Sequence, residues 1–158
     1  MDIKFDSPYP SGVLSNFAPH SFEFRGTPCH SMEGLLQSFK FEIAEEQKAV
    51  CLLAGAAAKQ KGLEKDWRKS RTLWWQGQPV RRDSAEYQQL LDDAFKALFS
   101  QNNDIRQALL ATGNALLQHS IVLNDPAETI LTEQEFCSRL TKIRAGLSST
   151  PPIKTTRR

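Results

Sequence analysis

Glu33, Gln37 and Lys40 stand at i, i+4 and i+7, so a helix starting near Ser31 sets an acid, an amide and an ammonium on one side within two turns. An acid in such a place can stabilise a developing cation or activate water. The amide can hold a hydroxyl, and the ammonium can meet a phosphate or, once desolvated, act as an amine nucleophile. The same spacing also describes a solvated helix face, where Glu33 and Lys40 gain only about 0.3–1 kcal/mol from the helix dipole. The preceding loop favours chemistry. Across residues 11–17, turn formers are mixed with the apolar anchors Leu14 and Phe17. Ser15 and Asn16 then present a hydroxyl and an amide, which suit a sugar or a nucleobase edge because both donate and accept. The alternative is a turn that caps itself.

Other candidates follow along the chain. Lys59 and Lys61 come after an alanine run and are either phosphate partners or a solvated helix end. Trp67, Trp74 and Trp75 are interleaved with Arg68, Lys69 and Arg71 and followed by Arg81 and Arg82. That loop-rich segment could stack a base and bind its phosphate, although any one tryptophan is as readily core. His119, set in the apolar run from Leu116 to Leu123, could protonate a leaving base, bind a phosphate or be a hydrogen-bonded structural histidine.

These residues need elements to position them. Met32, Leu36, Phe39 and Ile43 give the helix at Ser31 an apolar stripe. Ile3 with Phe5, and Phe22 with Phe24, alternate with polar neighbours ahead of a turn at residues 25–28, which predicts a small sheet or ribbon. Short helices are expected over residues 45–53 and 56–61, separated by Gly55. A capping box of Asp83 with Glu86 opens a long amphipathic helix through Leu98, and a further helix runs from Asn103 to a stop at Gly113. The segment from Leu116 is a strand or an extended crossing. Asp125 to Glu128 reads as a turn, and Thr132 with Glu135 caps a last helix lined by Phe136, Leu140, Ile143 and Leu147.

The architecture expected is one mainly helical α+β domain over residues 1–147, with a small N-terminal β-sheet beside the helix at Ser31. Residues 148–158, SSTPPIKTTRR, read as a flexible basic tail. The 158 residues, 40% hydrophobic and 24% charged with net charge +2, are the profile of a soluble globular protein. Charge alone implies no nucleic acid. Three widely spaced cysteines without a ligand pattern fit a reducing compartment and no metal. No leader or apolar run near membrane-spanning length is present, so a cytoplasmic protein without a membrane partner is expected.

Taken in order, SGVLSNF at residues 11–17, SMEGLLQSFKF at 31–41, GAAAKQKG at 55–62, Asp66-Trp67, DDAFKALFSQN at 92–102 and LLATGNALLQHS at 109–120 resemble the NADAR family of N-glycosidases. The resemblance covers most of the chain. It implies cleavage of an N-glycosidic bond, with Glu33 and Lys40 catalytic and Ser15, Asn16, Phe17, Gln37, Lys59, Trp67, His119 and Asp125 holding the substrate. Many family members carry a glutamate where this chain has His119, and a Trp-Gly pair shortly after an aspartate. Here Asp125 can be matched and the pair is absent. The implied substrates are nucleotide-like: phosphoribosylated amino-pyrimidine intermediates of riboflavin synthesis, or ADP-ribose on guanine, including ADP-ribosylated nucleic acid. Neither needs a cofactor or metal. Two other classes fit the same residues, a non-catalytic ADP-ribose or nucleotide binding module and a helical interaction protein.

Overall fold

At Ser31 the chain turns directly from strand into helix. The computed structural model, which describes residues 1–149, places β1 (Pro19–Phe24) antiparallel to β2 (Thr27–Ser31), and α2 (Met32–Ser38) follows at once. A four-residue helix, α1 (Ser11–Leu14), precedes them. Arg25 and Gly26, both at positive φ (50° and 82°), form the two-residue turn of the hairpin, whose twist suits the right-handed twist of the strands. Ser31 caps α2: its Oγ accepts from Gly34 N at 2.9 Å and donates to Leu53 O at 2.8 Å.

Around α2 pack α3 (Ala44–Cys51), α4 (Gly55–Gly62) and the long α5 (Ala85–Gln101). Gly34 permits the tight seat against α3, since a Cβ there would lie 2.4 Å from Leu53 O. The remaining elements are a second hairpin, β3 (Thr72–Trp75) with β4 (Gln78–Arg81), and helices α6 (Asn103–Ala111) and α7 (Glu133–Ser149). One core joins Leu35, Phe39, Trp75, Tyr87, Phe95 and Phe136. The result is the mixed helical and β architecture expected, with two small antiparallel sheets among the described residues.

Several local expectations are corrected. Ile3 and Phe5 form no strand with the hairpin; residue 2 makes an isolated parallel bridge to Gln118 instead, and Phe5 is exposed. The run from Leu116 is likewise irregular, its backbone spent on that bridge. Helix α2 ends at Ser38, where Ser38 Oγ donates to Leu35 O at 2.6 Å and the chain tightens. Phe41 therefore takes the buried position, and Ile43 is exposed at the start of α3. The segment read as loop-rich is the β3–β4 hairpin, turning on Gln76 and Gly77 at φ 49° and 81°. Ser84, not Asp83, caps α5, accepting from Tyr87 N at 3.1 Å, while Asp83 pairs with Arg81.

The cap of α7 is as read, with Glu135 N donating to Thr132 Oγ1 at 3.0 Å and Thr132 N to Glu135 Oε1 at 2.8 Å. Helix α7 runs through Ser149, and the expected tail lies from Thr150 on outside the described residues. The three cysteines are free and buried. No helix of the described residues is long and apolar enough to cross a membrane.

Candidate active site

A cavity of about 630 Å³ opens between the first turn of α2, the loop before it, α4 and two irregular segments near residues 119–122 and 129–131. Of the residues singled out in the sequence, Ser15, Asn16, Phe17, Glu33, Gln37, Lys59 and His119 line it. The local chain explains why. Glu33 N donates to Asn16 O at 2.9 Å, which ties the loop to the exposed start of α2, where backbone N–H groups have no partner within the helix. Ser15 Oγ accepts from Phe17 N at 3.2 Å and so holds the turn. Asn16 is 9% exposed, and its side-chain amide has no partner among the described residues.

Gln37 Nε2 donates to Glu33 Oε2 at 2.8 Å. Its own Oε1 is buried without a partner, pressed against the backbone of Gly62, where a Cβ would come within 1.8 Å of it. Glycine at 62 is what lets α4 close on the amide. An unsatisfied buried carbonyl costs about 1–3 kcal/mol, and the Nε2 hydrogen bond to Glu33 sets which way the amide faces.

The electrostatics of the floor are unusual for a solvated helix. Burial pushes the Glu33 carboxyl above its ordinary range, and the Gln37 hydrogen bond and the charges of Lys59 and Lys40 offset this only in part. Burial pushes the Lys40 ammonium down to about 8 against the pull of Glu33, with Arg68 and Lys59 pushing the same way. Lys40 lies just past the end of α2 and does not line the cavity wall. It makes no ion pair within 4.0 Å among the described residues, and neither does Lys59. Its backbone neighbours are fixed by Gln47, whose amide donates to Ser38 O at 2.9 Å and Trp74 O at 2.8 Å and accepts from Gln76 N at 2.9 Å. The second hairpin is thereby clipped to the end of α2.

The His119 ring is set in the wall by two contacts. Its Nδ1 lies 2.8 Å from Ile3 O, and it meets Phe136 edge-on at 5.2 Å. A carbonyl only accepts, so Nδ1 carries the proton and Nε2 is the nitrogen left to accept one. Trp67 and Asp125 are not brought to the cavity. Trp67 is 3% exposed in the core, with the Arg68 guanidinium 5.7 Å from its ring centre. Asp125 sits on an exposed turn, where its carboxylate accepts from Ala127 N at 2.9 Å.

Two parts of the wall carried no sequence signal. Lys4, Phe5 and Asp6 come from the irregular N-terminal segment, and Thr129, Ile130 and Leu131 from a strap without regular structure. The strap is held from behind. Arg82, 2% exposed, donates to Thr129 O at 2.9 Å and bidentately to Glu135 at 3.0 and 2.7 Å, and Tyr87 Oη donates to Ile130 O at 2.5 Å. Arg82 in the basic run beside Trp74 and Trp75 is thus a structural cation. Among the described residues no group of three or more His, Cys, Asp or Glu side chains is placed to hold a metal ion.

The fold is one shared with a solved structure. It superposes on the NMR structure of the Escherichia coli protein YbiA with a TM-score of 0.60 over 92% of this chain and 82% of that one, at 17% identity. At the level of sequence, residues 8–145 match the model of the bacteriophage protein GP30.3 family, and the chain belongs to that family. It is 36% identical over 149 residues, 93% of this chain and 98% of the relative, to an uncharacterized 17.1 kDa protein in the Gp30-rIII intergenic region of Enterobacteria phage T4.

Proposed function

We propose that the protein is an N-glycosidase that hydrolyses the bond between a ribosyl group and a nucleobase-like amine. The observation that carries this is Glu33, a carboxylate at the floor of a cavity, driven up in pKa by burial and given one hydrogen bond where an ionised carboxylate could take several. A positively charged oxocarbenium-like sugar supplies what is missing, so the site binds the transition state better than the ground state. Asn16 holds a sugar hydroxyl and Lys59 a phosphate, Gln37 orients Glu33, and Ser15 and Phe17 shape the loop. His119, once Nε2 has taken up a proton, donates it from Nε2 to the departing base. In the hydrolytic step water forms the bond to the anomeric carbon, Glu33 takes its proton, and the C–N electron pair leaves on the base, which gains a proton.

Lys40 lies outside the cavity lining but within electrostatic reach of Glu33, and a side-chain rotation that brings its amine into the cavity makes it the second catalytic group. With its pKa lowered to about 8 and no ion pair within 4.0 Å among the described residues, a substantial neutral fraction exists near pH 8. That favours a route in which its amine captures the opened sugar as a Schiff base, which water then hydrolyses. Borohydride added during turnover distinguishes the two routes: a stable sugar adduct on Lys40 identifies the amine as nucleophile, and its absence leaves water activated by Glu33.

The substrate is ADP-ribosylated guanine, free or in nucleic acid, or a ribosylamino-pyrimidine phosphate. Chromatography with mass spectrometry of base released from both, for wild type beside Glu33→Gln and Lys40→Ala, tests the reading. Release abolished by Glu33→Gln supports it. A folded wild type that binds a panel member and releases nothing is instead a binding module for ADP-ribose or a related nucleotide.

A further inference from the structure

The aromatic groups that the sequence offers for stacking are spent elsewhere. Trp67 and Trp75 are core residues, and Phe22, Phe24 and Phe39 are buried. Two large aromatics are exposed among the described residues, Phe5 at 53% and Tyr9 at 61%, and of these Phe5 lines the cavity. It stands beside Phe17, ring centres 6.1 Å apart and planes at 52°. Ile121 and Val122 belong to the same wall, and Ile121 is 68% exposed. The cavity lining thus combines polar groups, Asn16, Glu33, Gln37 and Lys59 among them, with the apolar Phe5, Phe17 and Ile121.

Phe5 is not a loose side chain on a loose segment. Lys4 N donates to Ser11 Oγ at 2.9 Å and Ser7 N to Lys4 O at 3.2 Å, so Phe5 and Asp6 form the tip of an anchored turn. Gly12 makes room for that turn, because a Cβ at 12 would lie 2.5 Å from Ser7 O and 3.0 Å from Phe5 O. On the other side Ile3 N donates to Gln118 O at 2.8 Å. An aromatic face half exposed to a cavity, on a backbone fixed from two sides, loses little conformational freedom when a flat ring covers it. The Asn16 amide, which has no partner among the described residues, supplies the donor and acceptor that a base edge or a sugar hydroxyl needs.

Resting on the N-glycosidase reading, we infer that Phe5, backed by Phe17, is the stacking platform for a nucleobase ring of the substrate. The ring is either the departing base or the adenine of an ADP-ribosyl group, and the chemistry that Phe5 recognises is the same for both. Lys59 and Phe5 both line the cavity, so a nucleotide enters with its phosphate toward the ammonium and its ring over Phe5.

The test is calorimetric binding of AMP, GMP and ribose 5-phosphate to wild type, Phe5→Ala and Phe5→Tyr. Stacking on one aromatic side chain predicts that Phe5→Ala weakens the nucleotides by about tenfold to a hundredfold. Ribose 5-phosphate should bind all three proteins equally, and Phe5→Tyr should keep wild-type nucleotide affinity. A stronger effect on GMP than on AMP assigns the platform to the guanine, and the reverse assigns it to the adenine. Equal losses for nucleotide and ribose 5-phosphate, no loss in Phe5→Ala, or no nucleotide binding by wild type overturns the inference. Base release is read separately on the same proteins. Nucleotide binding that depends on Phe5 without any base release leaves the platform standing and removes the glycosidase.

Discussion

Glu33 and Glu135 are two occluded carboxylates with opposite fates. Burial pushes both carboxyls up. At Glu135 the bidentate Arg82, the backbone N–H of Thr132 and the amide of Gln88 overcome it and hold the group below its ordinary range. At Glu33 a single amide answers one oxygen, Lys40 and Lys59 make no ion pair among the described residues, and the group stays high. The difference teaches which buried charge is scaffold. A fully satisfied network fixes a strap and has nothing left to give a ligand. A half-satisfied one is unfavourable in the empty protein and is completed by whatever cation or donor arrives.

The sharpest way to break this comparison is Glu33→Gln. Base release should fall by about 10³-fold, while the thermal midpoint at pH 7 rises because the penalised charge is gone. A group whose pKa is raised on folding favours the folded state most when protonated, and that stability is lost as pH rises through its folded value. The stability gap between variant and wild type should therefore close as the pH is lowered below the ordinary glutamate range. A midpoint that falls at neutral pH would make Glu33 a structural residue.

Arg82→Met should act in the opposite direction. It leaves Glu135 buried without its cation and should cost about 3–5 kcal/mol in urea unfolding, with much of the loss recovered in Arg82→Met/Glu135→Leu. If the double variant is no better than the single, the cost lies in the strap and not in the orphaned carboxylate.

Gly62→Ala sharpens the comparison from the side of the amide. The obstructing atom is the tip of the Gln37 side chain, so the fold yields for about 1–3 kcal/mol, but the displaced amide should release Glu33 and reduce turnover by about tenfold. Unchanged turnover would show that Gln37 does not orient Glu33.

The smallest effect belongs to Lys40→Met. A lysine held near 8 in the fold and near its ordinary value when unfolded adds stability as pH rises between the two. Relative to the variant, wild type should be less stable at pH 7 and approach it toward pH 11, measured by thermal melts across that range. No pH dependence of the gap would mean that Lys40 titrates normally.

Much of the site was legible before the structure because α2 and its loop are local. Ser31 as cap, Glu33 and Gln37 one turn apart and the anchored Ser15-Asn16 turn all follow from spacing within a few residues. The second hairpin was legible too, since Gln76-Gly77 is a two-residue turn that follows the alternating Leu73 and Trp75, but the density of arginine and tryptophan drew the reading toward a binding loop. Trp67 and Asp125 were carried by resemblance, and tertiary packing put one in the core and the other on an outer turn. The parts that stayed silent, Phe5 and the strap at 129–131, have no periodicity. Their positions are set by hydrogen bonds to Gln118, Arg82 and Tyr87, partners distant in sequence.

The hydrogen bond between Ile3 O and His119 closes the cavity across 116 residues of chain. Bringing such distant segments together is among the entropically costly steps of folding, so no fragment ending before residue 119 carries the complete pocket. Any ligand of the cavity draws on the whole fold. At a hundred times its dissociation constant it raises global stability by about 2.7 kcal/mol, and occupancy can be followed as slowed proteolysis at cleavage sites that only global unfolding exposes.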